Sequence, residues 1–394
     1  MSEVSLSPNT AFRQLAWKTL ALFLSYLAVA MSLPVVSVHV THGLHLGNAL
    51  GGLAVGITFL STILTRNYAG RMSDSSGGKR AMQRGLVIYA GAGLICLLSA
   101  IDGLGASLSY GVLIAGRLLL GLGESLALVG MIGWGIAEMG PARSGRVIAL
   151  VGMGMYGAFA VGGPLGLALF ERFGFGGLQL ACIALPLLGM WMIRAMPETP
   201  IVAGSARASF WGILGRIRRP GLTVCLQGVG FAALGAFISL YFIDRGWAHG
   251  GLGLTFFGVG FVAMRLLCGH LPDRIGGVKV AVASLSIEAA GQLLLWLAPN
   301  AEVALVGALL TGLGCSMVFP AMGVEVVKRV PPQQRGTALG GFAAFQDIAY
   351  GATGPVAGLV ADHFGYASVF LIGGTAALLG LWMAILTGRE DVVQ

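Results

Sequence analysis

The sequence is short of charge. Only 10% of its 394 residues are Asp, Glu, Lys or Arg, where soluble domains carry about 25%. With 56% hydrophobic residues, a soluble globular fold is excluded and a polytopic membrane protein is indicated. Cysteine is scarce. Cys96, Cys182, Cys225, Cys268 and Cys315 all fall in apolar runs and no CxxC pair exists, so they read as small reduced hydrophobes. Phosphate-binding signatures are absent too. The chain has no P-loop, and GxG stretches such as "GLGES" (121–125) follow no strand, so neither ATP nor a dinucleotide is implied. Met1–Ser7 has no basic start and no small-residue cleavage site. The first apolar run is therefore expected to remain as a span. There is no Asn-x-Ser/Thr sequon, which together with short loops fits a bacterial inner membrane.

What is present is apolar helix and glycine, 64 glycines in all. Spans need about 20 apolar residues. Twelve are expected near 17–38, 48–69, 85–105, 109–136, 146–169, 177–195, 221–243, 251–271, 279–298, 302–327, 338–361 and 366–387. The one long polar break holds "PETP" and "RIRRP". It gives an N-terminal six-helix half (1–196), a cytoplasmic linker (197–220) and a C-terminal six-helix half (221–394). With both termini placed in the cytoplasm, 19 of the 24 Lys and Arg fall in cytoplasmic segments, counting the cytoplasmic ends of the spans. The outer loops hold Arg172 and Arg245, and the spans hold Arg66, Arg117 and Arg265. This follows the positive-inside rule. It accounts for the +8 net charge, and for "RIRRP", without a nucleic-acid partner.

The halves repeat. Residues 114–175 align with 305–366 at an offset of 191. That pairs Gly121, Gly123 and Ser125 with Gly312, Gly314 and Ser316, and Pro141 and Gly145 with Pro332 and Gly336. It also pairs Gly163-Pro164 with Gly354-Pro355 and Phe173-Gly174 with Phe364-Gly365. At an offset of 199, Arg66, Gly70, Asp74, Gly77 and Gly78 match Arg265, Gly269, Asp273, Gly276 and Gly277. The expected fold class is thus an all-α polytopic membrane protein with two parallel six-helix repeats. That is an architecture of rocking transporters.

Five segments resemble signatures of the major facilitator superfamily. They are "GRMSDSSGGKR" (70–80), its copy "GHLPDRIGGVK" (269–279), "RLLLGLG" (117–123), "GGPLG" (162–166) and "PET" (197–199). The first loop has Ser75-Ser76 where its copy carries the basic Arg274. The resemblance implies alternating access. Loop contacts through Gly70, Asp74, Gly269, Asp273 and Arg274 would hold the cytoplasmic gate shut, with an aspartate meeting a helix N-terminus. It likens "GGPLG" to an antiporter signature. It also places helices 1, 4, 7 and 10 around the path, with 2, 5, 8 and 11 beside them. Proline removes a helical donor, so Gly163-Pro164 and Gly354-Pro355 are expected to interrupt helices 5 and 11 and shape the gate. For Arg66 and Arg265 two readings stand: snorkelling to the cytoplasmic face, or pairing across the halves.

Charges within spans need a cavity or a partner. Arg117 and Glu124 lie seven residues apart, about 10 Å along one helix face, and their second-half counterparts are Ala308 and Cys315. Neither charge is therefore required to build a half. Asp347 sits beside Gln346, and its counterpart is Tyr156. Arg117, Glu124, Asp347, Gln346, Tyr26, Tyr156 and Gln227 are the expected residues of a central path. A carboxyl removed from water favours its neutral form, and a nearby Arg opposes this. Glu124 and Asp347 are thus expected proton carriers and Arg117 their modulator. Glu288, on helix 9, reads as a structural partner. His39, His42 and His45, at three-residue spacing, read as solvated loop residues, not a metal site.

The expected activity is secondary transport by a monomer. A proton gradient would drive export of a small organic molecule, with no cofactor. Symport of a small organic anion or sugar is the alternative. No nucleophile–base or metal cluster assembles in the spans, so an enzyme is not expected.

Overall fold

The computed structural model describes residues 8–101, 103–140, 143–199, 210–331 and 334–390. Residues 200–209 of the linker, and the repeat pair Pro141 and Pro332, lie outside the described residues. All regular structure among the described residues is helical. The helices are α1 (Pro8–Val38), α2 (Asn48–Ser76), α3 (Gly78–Leu98), α4 (Ala106–Met139), α5 (Ser144–Ile193) and α6 (Phe210–Asp244). After these come α7 (Leu252–Cys268), α8 (Leu271–Ile275), α9 (Gly277–Trp296), α10 (Ala301–Lys328), α11 (Arg335–Phe364) and α12 (Ala367–Glu390).

Twelve traverses result. Helix α5 contributes two, because Gly174 (φ 67°) turns the chain back within it. A side chain at that positive φ would be strained. Gly365 (φ 80°), its copy by repeat, ends α11. Helices α7 and α8 together make one traverse, broken at Gly269-His270. The first copy of this segment runs unbroken to Ser76.

The linker is shorter than the sequence suggests. Helix α6 begins at Phe210 and takes in "RIRRP". Ile213 and Ile217 are buried, whereas Arg216 and Arg218 are exposed. A helix that emerges from the bilayer need only be amphipathic, and an average-hydropathy reading misses such a start.

Within the first half α1 packs on α5, α3 on α4, and α2 on α4. Within the second half α6 packs on α11 and α12, α9 on α10, and α7 on α10. The halves meet through α2 with α11, α5 with α7, and α1 with α6. These contacts lie toward the end of the bundle opposite the basic loops, here called the far end. Ser37 donates to the Ala236 carbonyl at 2.6 Å. Gly52 and Gly354 bring α2 and α11 into backbone contact, and any Cβ at either would collide with the other chain segment. Gly163 and Pro164 meet Gly251, just before α7, in the pseudo-equivalent contact. Both prolines sit inside continuous helices. The expected interruptions of α5 and α11 do not occur; these pairs instead mark where the halves touch.

Candidate functional site

Glu124 sits about midway along α4 and is buried. Tyr26 of α1 donates its hydroxyl to Glu124 Oε1 at 3.0 Å. Oε2 has no hydrogen-bond partner among the described residues. The carboxyl therefore has one neutral donor and one open oxygen at membrane depth, an arrangement suited to a group that gains and loses a proton.

Arg117 is held through neighbouring helices and not through Glu124. It is 1% exposed and bonds within the first half. Nε donates to the Ala54 carbonyl at 2.9 Å, Nη1 to Ser32 Oγ at 3.0 Å and Nη2 to the Val55 carbonyl at 3.5 Å. The forked guanidinium ties α4 to α1 and α2. A long side chain reaches sideways, so sharing a helix face with Glu124 does not bring it to Glu124. A cavity of about 20 Å³ lies beside it, lined also by Tyr89, Gln179, Cys96 and Cys182. It has room for about one water.

The halves exchange a charge contact. Arg66 Nη2 of α2 lies 2.5 Å from Asp347 Oδ2 of α11. The two are paired as ions without a well-directed hydrogen bond. Arg66 is 24% exposed and Asp347 13%, so water reaches the pair. It lies nearer the basic end than the Gly52–Gly354 contact does. The pseudo-equivalent residues are Arg265 and Tyr156, and they too are neighbours across the halves. Arg265 lies over the Phe261 ring at 5.3 Å, and Tyr156 stacks on the same ring at 3.6 Å. One pseudo-symmetric contact is ionic and the other aromatic. Beside Asp347, Gln346 Nε2 donates to Gln227 Oε1 of α6 at 3.2 Å.

Sequence reasoning missed three features. Between these polar groups lies an aromatic layer drawn from both halves. Tyr350 meets Phe59 at 5.1 Å and Phe231 at 5.1 Å, and Phe231 meets Phe159 at 5.3 Å and Phe257 at 5.1 Å. Phenylalanine in an apolar span carries no mark that separates path-facing from lipid-facing positions. At the far end Asn48 donates to Asp362 at 2.7 Å and accepts from Tyr366 at 2.8 Å. Toward the basic end Lys18 of α1 is buried against Glu138 of α4 and stands 3.9 Å over the Trp134 ring. The sequence signal for this last pair is a lysine inside an apolar helix, which charge counting alone assigns to the cytoplasm.

The predicted loop residues sit at the basic end. Asp74 is exposed in the last turn of α2, and Asp273 and Arg274 are exposed in α8. Gly70 lies inside α2 and Gly269 between α7 and α8. Gly77 (φ 89°) and Gly276 (φ 95°) turn the chain identically in the two copies. His39 differs from its reading. It lies in a π-helical turn (His39–Gly43) and stacks on Phe175 at 3.9 Å. His42 and His45 are exposed. Among the described residues no group of three or more metal-ligating side chains forms.

Two repeated halves, in contact at one end and meeting through charged and aromatic side chains at mid-depth, have the architecture of a membrane transporter. The Major Facilitator Superfamily model matches residues 19–271 and 222–393. An uncharacterized MFS-type transporter of Salmonella typhimurium is 45% identical over 370 residues, covering 94% of this chain and 95% of that protein. An uncharacterized MFS-type transporter of Burkholderia mallei is 40% identical over 378 residues, covering 95% of this chain and 93% of that protein. Among solved structures, a point mutant of the nucleoside transporter NupG superposes with TM-score 0.76 at 15% identity, covering 95% of this chain and 99% of that chain. A D-xylose-proton symporter superposes with TM-score 0.75 at 18% identity, covering 96% and 97%. At such identities the two structures speak to the fold alone. The chain belongs to the Major Facilitator Superfamily, a family of transporters and not of enzymes.

Proposed function

We propose that the protein is a proton-coupled secondary transporter that exports a small organic molecule by alternating access across a bacterial inner membrane. The observation that carries this reading is the Glu124–Tyr26 site at mid-depth, with a carboxyl oxygen left open. The Arg66–Asp347 pair joins the two halves that must rock. A proton arriving at Asp347 removes a charge where the halves meet, and one arriving at Glu124 removes a charge at mid-depth in the first half; arrival of substrate or rocking of the halves toggles the balance. The basic end is cytoplasmic by the positive-inside rule, so the far-end seal corresponds to the state closed to the outside. Export is favoured by the likeness of "GGPLG" to an antiporter signature. The aromatic layer suits an amphipathic or aromatic cargo that stacks on ring faces.

Uptake by symport uses the same groups with the opposite sign. Arg117 gives it no support, because its guanidinium is engaged by Ser32 and backbone carbonyls rather than held free for an anion. Direction is tested in proteoliposomes, with a compound identified by thermal shift from a ligand panel. An acidic exterior should drive loss of preloaded compound in exchange for protons. Accumulation under the same gradient means symport, and flux indifferent to the gradient sinks proton coupling altogether.

A further inference from the structure

Glu288, in the middle of α9, reads from the sequence as a structural partner. Its position in the repeat changes that. At an offset of 199 it is the copy of Tyr89, and at 191 Cys315 is the copy of Glu124. The helix contacts follow the same correspondence. Gly123 of α4 lies against the backbone of Gly85 and Tyr89 in α3, and Gly314 of α10 lies against the backbone of Ser284 and Glu288 in α9. Each half thus holds one buried carboxyl at the same helix–helix contact. In the first half it is carried by the fourth span, facing a phenol. In the second it is carried by the ninth span, facing a thiol.

Glu288 is 0% exposed. The Cys315 thiol and the Gln227 amide lie beside it, yet neither carboxyl oxygen has a well-aligned hydrogen bond among the described residues. Among the described residues its neighbours offer no compensating cation. Helix α6 presents Gln227 and Gly230, α10 presents Cys315 and Thr311, and Gly373 of α12 abuts Gln292 one turn along α9. Cys315 is the titratable group that faces it. Glu325 of α10, beside Gly277, and the α12 end that holds Arg389, beside Val278, lie about three turns away toward the basic end. Asp273 and Arg274 of α8 precede α9 at that same end. An ionised carboxylate here is an unpaired charge at mid-depth, which is costly.

The pocket is not isolated from the path. Gln227 Oε1 accepts from Gln346, so the donor face of the same amide is free to turn to Glu288. Gln346 precedes Asp347, the partner of Arg66. A polar chain therefore runs from the ion pair between the halves, through two amides, to a carboxyl in the core of the second half.

We propose that Glu288 is a second proton-binding site, and that Gln227 reports its charge state to the Arg66–Asp347 contact. The step is the binding of one proton to a carboxylate oxygen, with no other bond made or broken. This rests on the proton-coupled reading for its use in transport, but its test needs neither substrate nor flux. The purified protein in lipid nanodiscs is titrated with acid while the C=O stretch of neutral carboxyls is followed by infrared difference spectroscopy. Glu288→Gln should remove a neutral-carboxyl band that Glu124→Gln leaves in place. Gln227→Leu should shift that band and its titration midpoint, and Cys315→Ala should shift its frequency. A Glu288→Gln spectrum that superimposes on the wild type overturns the proposal. If Glu288→Gln does not fold, variants at other positions still decide. Neutral-carboxyl intensity wholly removed by Glu124→Gln with Asp347→Asn overturns the proposal, and intensity that survives this pair and responds to Gln227→Leu supports it. Flux indifferent to a proton gradient beside an intact Glu288 band would sink coupling and leave the site standing.

Discussion

Replacing Asp347 with Asn should shift the protein away from its far-end-closed state. Opening the far end parts α2 from α11, and the Arg66–Asp347 pair lies at the inner edge of that contact. Two unit charges with centres about 4 Å apart attract by about 4 kcal/mol at an effective dielectric of about 20. Desolvation offsets much of that. With Arg66 24% and Asp347 13% exposed, screening by water lowers it further. A net contribution of about 1–2 kcal/mol remains, which changes a two-state ratio by about 5–30-fold. Asn removes the charge and keeps the shape, and the freed Arg66 still reaches water. Spin labels at Ser107→Cys of α4 and Glu302→Cys of α10, both exposed at the far end, report the separation of the halves by double electron–electron resonance. The long-distance population should grow in Asp347→Asn, and by a similar factor in Arg66→Met. The double variant should match either single one, because both remove the same contact. Unchanged distance distributions, or effects that simply add, would refute the assignment of this pair to the closed state.

Other outcomes follow from the same geometry. Arg117→Met should lower thermal stability by about 2–4 kcal/mol, the loss of up to three hydrogen bonds from a charged donor, while compound binding measured in the folded fraction stays within about twofold; a selective loss of binding would return Arg117 to the path. Lys18→Met or Glu138→Gln alone should destabilise by about 3–5 kcal/mol by stranding a buried charge, and the Lys18→Met/Glu138→Leu pair should recover most of it, as read by denaturation midpoints. Gly354→Val should block the approach of α11 to Gly52, leaving the far end open and Asn48→Cys reactive to a membrane-impermeant thiol reagent; protection equal to that in the Gly354 background would contradict the contact.

Much of the fold was legible because its signals are periodic. Apolar runs, the basic asymmetry and two fixed repeat offsets placed the halves, and the paired positive-φ glycines Gly77 and Gly276 bear the repeat out in backbone geometry. Boundaries at the basic end were less legible. There a helix such as the start of α6 has one buried face and one wet one, and average hydropathy falls although the helix continues. The site was legible in part. Spacing put Glu124 at mid-depth, yet spacing along one helix does not say which neighbour a flexible guanidinium reaches, and Arg117 found the carbonyls of α2. The Arg66–Asp347 contact joins residues 281 positions apart in different halves, and no local pattern records which helices meet across the interface. Glu288 reads as a structural partner from its helix alone, and that reading does not show that its side chain points inward to Gly230 of α6.

The central claim is that a proton on Glu124 drives the cycle. It is tested most directly by Glu124→Gln in proteoliposomes, comparing gradient-driven flux with compound exchange at equal pH on both sides. The account predicts that the variant loses its response to the proton gradient while equal-pH exchange persists, because Gln keeps the shape and the bond from Tyr26 but binds no proton. Gradient-driven flux at the wild-type rate in Glu124→Gln would contradict it.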